Sequence, residues 1–356
     1  MYLSIDKIKK IQLDHTSRCN CSCPQCARMA SPTELNPRMP VVDLSLDDYK
    51  ILLSPFDTAQ LLDLTLFHCG NFGDALASPT FDETFDYCLS KGVGKIIIAT
   101  NGSIRSPQWW SALAKKARNK LIVIFSVDGL EDTNHLYRVG ANFNKIIENA
   151  KAFIAAGGRA RWAFIEFEHN YHQISQAHAL SKELGFEKFQ VKYTARFAEQ
   201  NNDKIETKKG NIVKDRQHNH NVQDKVSIIN KYGSFNEYVK NTLIRCKFQA
   251  EQAMFVDMEM KLWPCCWFGA PQYLSNDNPQ KKDFEYLNTK FGPDFNDLRK
   301  HGWKVLTHEF FNSHLETTWN SPSATAPRIY TCGRTCGQQF EYSSGYGKNS
   351  QEINNG

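Results

Sequence analysis

Leu13-Asp-His-Thr-Ser-Arg-Cys-Asn-Cys-Ser-Cys-Pro-Gln-Cys-Ala-Arg28 places four cysteines, Cys19, Cys21, Cys23 and Cys26, within eight residues. Such density in a chain with no secretory features points to a metal before anything else. Cys19, Cys23 and Cys26 are spaced C-x3-C-x2-C, which lets three thiolates from one irregular loop converge on one cubane cluster. Three ligands leave one iron open, and an open position marks a catalytic site more than a closed structural one. Cys21 is extra to this spacing. An extended segment would set Cys19, Cys21 and Cys23 on one face, so geometry alone does not separate Cys21 from the ligands. The alternative is a structural zinc knuckle built on Cys23-Pro-Gln-Cys26, but zinc sites usually pair two C-x2-C units and the chain has only this one.

The composition is that of a globular protein: 356 residues, 41% hydrophobic, with no apolar run long enough to span a membrane and no signal peptide, since Met1 to Lys10 turns charged at once. A cytoplasmic location is expected, and there eleven cysteines favour metal over a disulfide framework. The length suggests two units. The net charge of +5, from 43 basic and 38 acidic residues, specifies no partner. The densest basic stretch, Asp203 to Lys225, interleaves Asp203, Glu206, Asp215 and Asp224 with its lysines, which reads as a solvated loop and not as a nucleic-acid footprint.

From residue 8 to about 200, short apolar strands alternate with helix-length segments, the pattern of a parallel sheet with crossover helices. Strands are expected at Ile8–Asp14, Leu62–His68, Lys95–Thr100, Leu121–Val127, Ala160–Phe167 and Phe189–Thr194. Ser45 and Ser106-Pro107 open helices, and helical periodicity runs over Asn144–Ala156 and Tyr171–Leu184. Six such units give an α/β fold, a partial (β/α)6 TIM-like barrel over residues 1–197. Its chemistry belongs at the C-terminal strand ends, where the cysteine loop, Gly70-Asn-Phe-Gly-Asp74, Thr100-Asn-Gly-Ser103 and Ser126-Val-Asp-Gly129 fall. In the fifth strand Ala163, Ile165 and Phe167 share one face and Trp162, Phe164, Glu166 and Glu168 the other. In the sixth, Val191, Tyr193 and Ala195 alternate with Gln190, Lys192, Thr194 and Arg196. Apolar faces toward the outer helices would turn Glu166, Lys192 and Arg196 into the barrel as cofactor or substrate contacts, or as internal ion pairs.

The loop resembles the signature of the radical S-adenosylmethionine enzymes. The resemblance implies that Cys19, Cys23 and Cys26 hold a 4Fe–4S cluster, with S-adenosylmethionine on the fourth iron. Reductive cleavage would yield a 5′-deoxyadenosyl radical that abstracts a substrate hydrogen, with the electron coming from a flavodoxin- or ferredoxin-type donor. It makes Cys21 a non-ligand. Gly73-Asp74 is similar to the family's Gly-Gly-Glu motif, which holds the cofactor's amino group, with aspartate in place of glutamate. Ser126 and Arg138 resemble positions that meet its ribose or carboxylate. Gln25 stands where the family tends to have an aromatic residue.

A second set, Cys246, Cys265, Cys266, Cys332 and Cys336, lies in the last third of the chain. It resembles the SPASM and twitch auxiliary-cluster modules, which implies one auxiliary iron–sulfur cluster, of 4Fe–4S type, on Cys246, Cys265, Cys332 and Cys336 in a domain over 245–340. Zinc on the same four thiolates is the rival, and Cys266 is the alternative ligand. This chain departs from the pattern in having Met260 where a hairpin glycine is expected and C-x3-C in place of C-x2-C at the close. Cys69 and Cys88 read as buried cysteines, residues 198–244 as a polar bridge with His218 and His220 solvated, and 341–356 as a disordered tail. For function, auxiliary modules of this type imply oxidative modification of a peptide or protein. The alternatives are a small-molecule dehydrogenase or epimerase acting on a sugar or alcohol, and a non-catalytic zinc-binding protein.

Overall fold

The computed structural model describes residues 2–31, 33–194, 203–216, 226–276 and 278–338, and the backbone of 351–354. Six parallel strands lie side by side in chain order: β1 (Lys10–Leu13), β2 (Thr65–His68), β3 (Lys95–Thr100), β4 (Leu121–Ser126), β5 (Arg159–Ile165) and β6 (Lys188–Lys192). Helices α1 (Leu46–Leu53), α2 (Thr58–Asp63), α3 (Phe81–Ser90), α4 (Pro107–Ala117), α5 (Asn134–Tyr137), α6 (Phe143–Ala155) and α7 (Ile174–Glu183) fill the crossovers. Ser45 closes a capping box with Asp48 on α1, and Ser106 accepts the Trp109 N–H ahead of Pro107 on α4, both as expected from the sequence. Among the described residues the sheet does not close on itself.

Alternation along the strands divides the sheet into a dry outer and a half-wet inner face. Leu66, Ile98, Val123, Phe125, Trp162, Phe164 and Phe189 are buried outward, with Phe125 against Trp110 and Phe153, and Phe189 against His178. Their neighbours Gln12, Phe67, Ala99, Ile124, Ser126, Arg161, Gln190 and Lys192 are all only half-buried. Ile122 and Ala163 on the same face are buried, so this face is partly filled by its own side chains and partly open.

Three expectations are corrected here. In β5, Trp162 and Phe164 point outward, packing on Phe186 and Phe189, and the inner positions are Arg161, Ala163 and Ile165. Two large aromatics bury more apolar area under a helix than beside a wet cavity. The strand also ends at Ile165, which leaves Glu166 and Glu168 in the following loop. Second, the polar bridge contains a hairpin, β7 (Lys204–Glu206) and β8 (Ile212–Lys214), and a helix over Phe235–Asn241. The buried Val213 anchors the hairpin; His218 and His220 lie outside the described residues. Third, four residues of the expected disordered tail, Gln351–Asn354, pair antiparallel with β6, covering backbone groups that an edge strand otherwise leaves open. On the other edge, β9 (Ala253–Val256) runs parallel to β1 and forms an antiparallel hairpin with β10 (Leu262–Trp263). Met260 in its turn adopts φ 62, so a left-handed residue does sit where glycine was expected.

Two histidines sit in the outer core. His15 Nδ1 meets the Tyr49 hydroxyl at 2.9 Å, and His68 stacks on the Tyr49 ring. Burial pushes His68 down to about 3, with His15 adding repulsion. The unfolded chain takes up a proton near pH 6.5 that folded His68 refuses, so its contribution is full above pH 6.5 and falls away as pH drops toward 3. Between pH 8 and pH 5, wild type is expected to lose about 2 kcal/mol more unfolding free energy than His68→Leu, which urea titrations at the two pH values would measure. Equal losses would mean that His68 is protonated in the folded state.

Candidate cluster and cofactor site

The cysteine loop leaves β1 and is held from both sides. On one side Gly73 fits beneath it: a Cβ there would lie 2.1 Å from the Thr16 carbonyl oxygen and 2.8 Å from that of Arg18, and the Asp74 N–H donates to Arg18 O at 2.8 Å. On the other side the turn after α5 presses against it, with the Ser22 N–H bonded to Val139 O at 2.8 Å. A Cβ on Gly140 would meet Asn20 O at 2.7 Å. Glycine at 73 is therefore required by the close approach of two backbones.

Asp74 is 4% exposed and its carboxylate is committed within the protein. Oδ2 accepts from Thr100 Oγ1 (2.8 Å), the Asn101 N–H (3.0 Å) and Asn101 Nδ2 (2.8 Å), and Oδ1 accepts from the Leu76 N–H (3.1 Å). Burial raises its pKa against these bonds. The same Asn101 amide donates to Asn20 Oδ1 at 2.8 Å and lies 3.9 Å from Cys19 Sγ. Asp74 thus orients Asn101, and Asn101 orients the loop at its first cysteine. Thr100-Asn-Gly-Ser103 is legible in the sequence as a strand-end turn, but nothing in it marks Asn101 as the link between Asp74 and the loop.

Across the mouth, Arg138 Nε donates to Asp128 Oδ2 at 2.6 Å and its Nη1 reaches Cys23 Sγ at 4.0 Å. Asp128 is fully buried, and its other oxygen accepts the Ile165 N–H at 2.7 Å. Burial acts to lower the Arg138 pKa, but Asp128 and Cys23 raise it well above the usual value. The hydrogen bond from Cys21, and then Arg138, hold Cys23 down to about 6 against its burial, while Cys21 is pushed up by its neighbours Cys19 and Cys23. Cys21 therefore lies within hydrogen-bonding reach of both Cys19 and Cys23. Ser126 faces the interior at the end of β4. Lys192, at the end of β6, feels both Asp128 and Arg138, and burial lowers its pKa. The Glu166 carboxylate pairs with Arg216 at 2.7 Å, and the Arg216 guanidinium lies 3.7 Å over Tyr171, which fastens the hairpin strand β8 to the mouth. Arg196 lies outside the described residues.

The second cysteine set converges from three segments. Cys246 precedes the helix Lys247–Ala250, and Cys265 precedes Cys266–Gly269. Cys332 and Cys336 stand one turn apart on Tyr330–Cys336, so the C-x3-C spacing puts both thiols on one helix face. Cys246 is held down to about 7, first by a hydrogen bond with Cys336, and it lies within electrostatic reach of Cys265 and Cys332. Cys266 lies within electrostatic reach of Asp14, Cys69 and Cys265; burial, and then Asp14, push it up to about 12. Cys88 is buried in α3.

Among the described residues no three His, Cys, Asp or Glu side chains stand together as ligands of a single ion. What the structure offers a metal group is its donor chemistry: thiols gathered at two places, with amide and guanidinium donors beside Cys19 and Cys23. That set fits a sulfur-ligated iron cluster, whose thiolates are spread over several irons. No described helix is long and apolar enough to cross a membrane.

No family model matches the sequence, and no curated protein does. Solved structures do match in three dimensions. Streptococcus suis SuiB bound to S-adenosylmethionine superposes with a TM-score of 0.50 at 14% identity, over 76% of this chain and 62% of SuiB, less than two-thirds of its length. Native anSMEcpe with bound AdoMet superposes with a TM-score of 0.51 at 14% identity, over 95% of this chain and 94% of anSMEcpe. The complex of anSMEcpe with AdoMet and the Cp18Cys peptide gives the same values. At such identities the likeness is one of fold, and the chain has the partial-barrel fold of the radical S-adenosylmethionine enzymes that its cysteine loop resembles.

Proposed function

We propose that this chain is a radical S-adenosylmethionine enzyme that modifies a peptide or protein oxidatively. One observation carries the reading: a three-thiol loop, braced by Asn101 and Arg138, stands at the C-terminal strand ends above a half-wet inner face. Cys19, Cys23 and Cys26 hold the 4Fe–4S cluster, which, with S-adenosylmethionine bound, supplies a carbon-centred radical able to take hydrogen from an unactivated C–H bond. Around it Gly73 admits the loop, and Asp74 acts through Asn101 and not by direct contact. Ser126 and Arg138 line the cofactor's side of the mouth, and Lys192 offers a cation for a carboxylate of cofactor or substrate. Polar anchoring by Gln12, Gln190 and Lys192 suits an amide backbone, and anSMEcpe, crystallised with a peptide, is similar over nearly the whole chain. The same inner face also suits a hydroxylated small molecule, the second reading. Cys246, Cys265, Cys332 and Cys336 hold one auxiliary cluster, and a flavodoxin- or ferredoxin-type protein delivers the electron.

The test is anaerobic reconstitution followed by incubation with dithionite, S-adenosylmethionine and either deuterated peptides or deuterated small-molecule extracts. The expected result is about eight irons per chain, if both sites are cubanes, with deuterium in 5′-deoxyadenosine and loss of two hydrogens from a peptide. Deuterium from a small molecule alone would transfer the reading to that substrate class. Zinc without iron would end it.

A further inference from the structure

The second residue of the chain reaches its far end. Tyr2 is 2% exposed, and its hydroxyl lies 3.1 Å from Cys246 Sγ and 3.2 Å from Pro264 O, the residue before Cys265. Three further contacts fix the side chain's base. The Tyr2 N–H donates to Phe311 O at 2.8 Å, its carbonyl accepts from Gln249 Nε2 at 2.8 Å, and its ring meets Trp319 edge-on at 6.1 Å. The phenol therefore has little freedom to leave the four-thiol site.

A phenol has one proton, and here it faces two acceptors. In a metal-loaded site Cys246 is a thiolate, an ionic acceptor, and hydrogen bonds to charged acceptors are roughly twice as strong as neutral ones. The proton then belongs on the sulfur, with Pro264 O its neutral alternative. Hydrogen bonds to ligand sulfurs are among the factors that set an iron–sulfur group's potential. They withdraw charge from the sulfur and favour the state carrying the extra electron.

We propose that Tyr2 is a positioning residue of the auxiliary site, which donates its phenol proton to the Cys246 sulfur and sets the group held there as an electron acceptor. This rests on the iron–sulfur reading of Cys246, Cys265, Cys332 and Cys336. If an iron–sulfur group is bound there, the four thiols would hold it and it would supply a one-electron acceptor, with the Tyr2 hydroxyl setting how readily it takes that electron.

Tyr2→Phe removes the hydroxyl and keeps the ring that packs on Trp319. The measurement is a potentiometric titration of the reconstituted full chain followed by electron paramagnetic resonance, with iron and zinc content determined on the same samples. The auxiliary signal is expected to move to more negative potential while the signal of the amino-terminal cluster stays, with iron content unchanged. A 3-fluorotyrosine at position 2, a more acidic phenol in the same place, is expected to move the auxiliary potential the other way, and it serves equally if Tyr2→Phe fails to load iron. An auxiliary potential that responds to neither change would overturn the proposal and leave Tyr2 as packing. Zinc at the four thiols in wild type would instead overturn the iron reading itself, which the metal analysis reports separately.

Discussion

Cys19→Ala, Cys23→Ala and Cys26→Ala are each expected to abolish reductive cleavage of S-adenosylmethionine, whereas Cys21→Ala retains it. The loss should be complete within detection, because removing one thiolate of three leaves the cluster without a stable seat. The Cys21 backbone N–H, which alanine keeps, donates to Cys19 Sγ at 3.4 Å, and the Cys21 thiol lies against Asn20 Oδ1 at 3.7 Å. Cys21→Ala removes a weak S–H donor and is expected to lower the rate modestly without lowering the iron content of that site. The measurement pairs 5′-deoxyadenosine, by liquid chromatography, with iron per chain for each variant. If Cys21→Ala loses its iron, the loop has four protein ligands and no open position for the cofactor.

What could be read in advance was what repeats locally. Six strands with period-2 apolar alternation fixed β1 to β6 to within a few residues, and the caps at Ser45 and Ser106 needed only their own neighbours. Polarity alone assigns the wrong face of β5, because Trp162 and Phe164 go where they bury most area. The pairing of β9 with β1 left no local trace, since backbone edges recognise each other without a side-chain code. Within the site, the cysteines were legible by spacing. Asp74 was legible as a site residue, but nothing in Gly73-Asp74 reveals that Thr100 and Asn101 converge on its Oδ2. Tyr2 was invisible, as its meaning depends on Cys246, 244 residues away.

Asp128→Ala is expected to destabilise the folded chain by about 3–5 kcal/mol, the scale of breaking one partner out of a buried ion pair. The carboxylate accepts from Arg138 Nε on one oxygen and from the Ile165 N–H on the other. Its removal therefore strands a guanidinium that is 18% exposed and orphans a backbone donor at the end of β5. The size of the effect comes from what is left behind, and this makes the double variant the decisive sample. Asp128→Ala with Arg138→Met takes away the stranded charge, so it is expected to recover part of the loss, giving a favourable coupling in a double-mutant cycle. Denaturant titration of the four proteins would measure this. If Asp128→Ala alone costs less than about 1 kcal/mol, the range of an ordinary surface pair, Arg138 is solvated at the mouth instead of being held there. The coupled outcome would make Asp128 the residue that aims Arg138 at Cys23 and the cofactor's side of the barrel, through a turn, Ser126-Val-Asp-Gly129, in which the sequence reading had singled out only the serine.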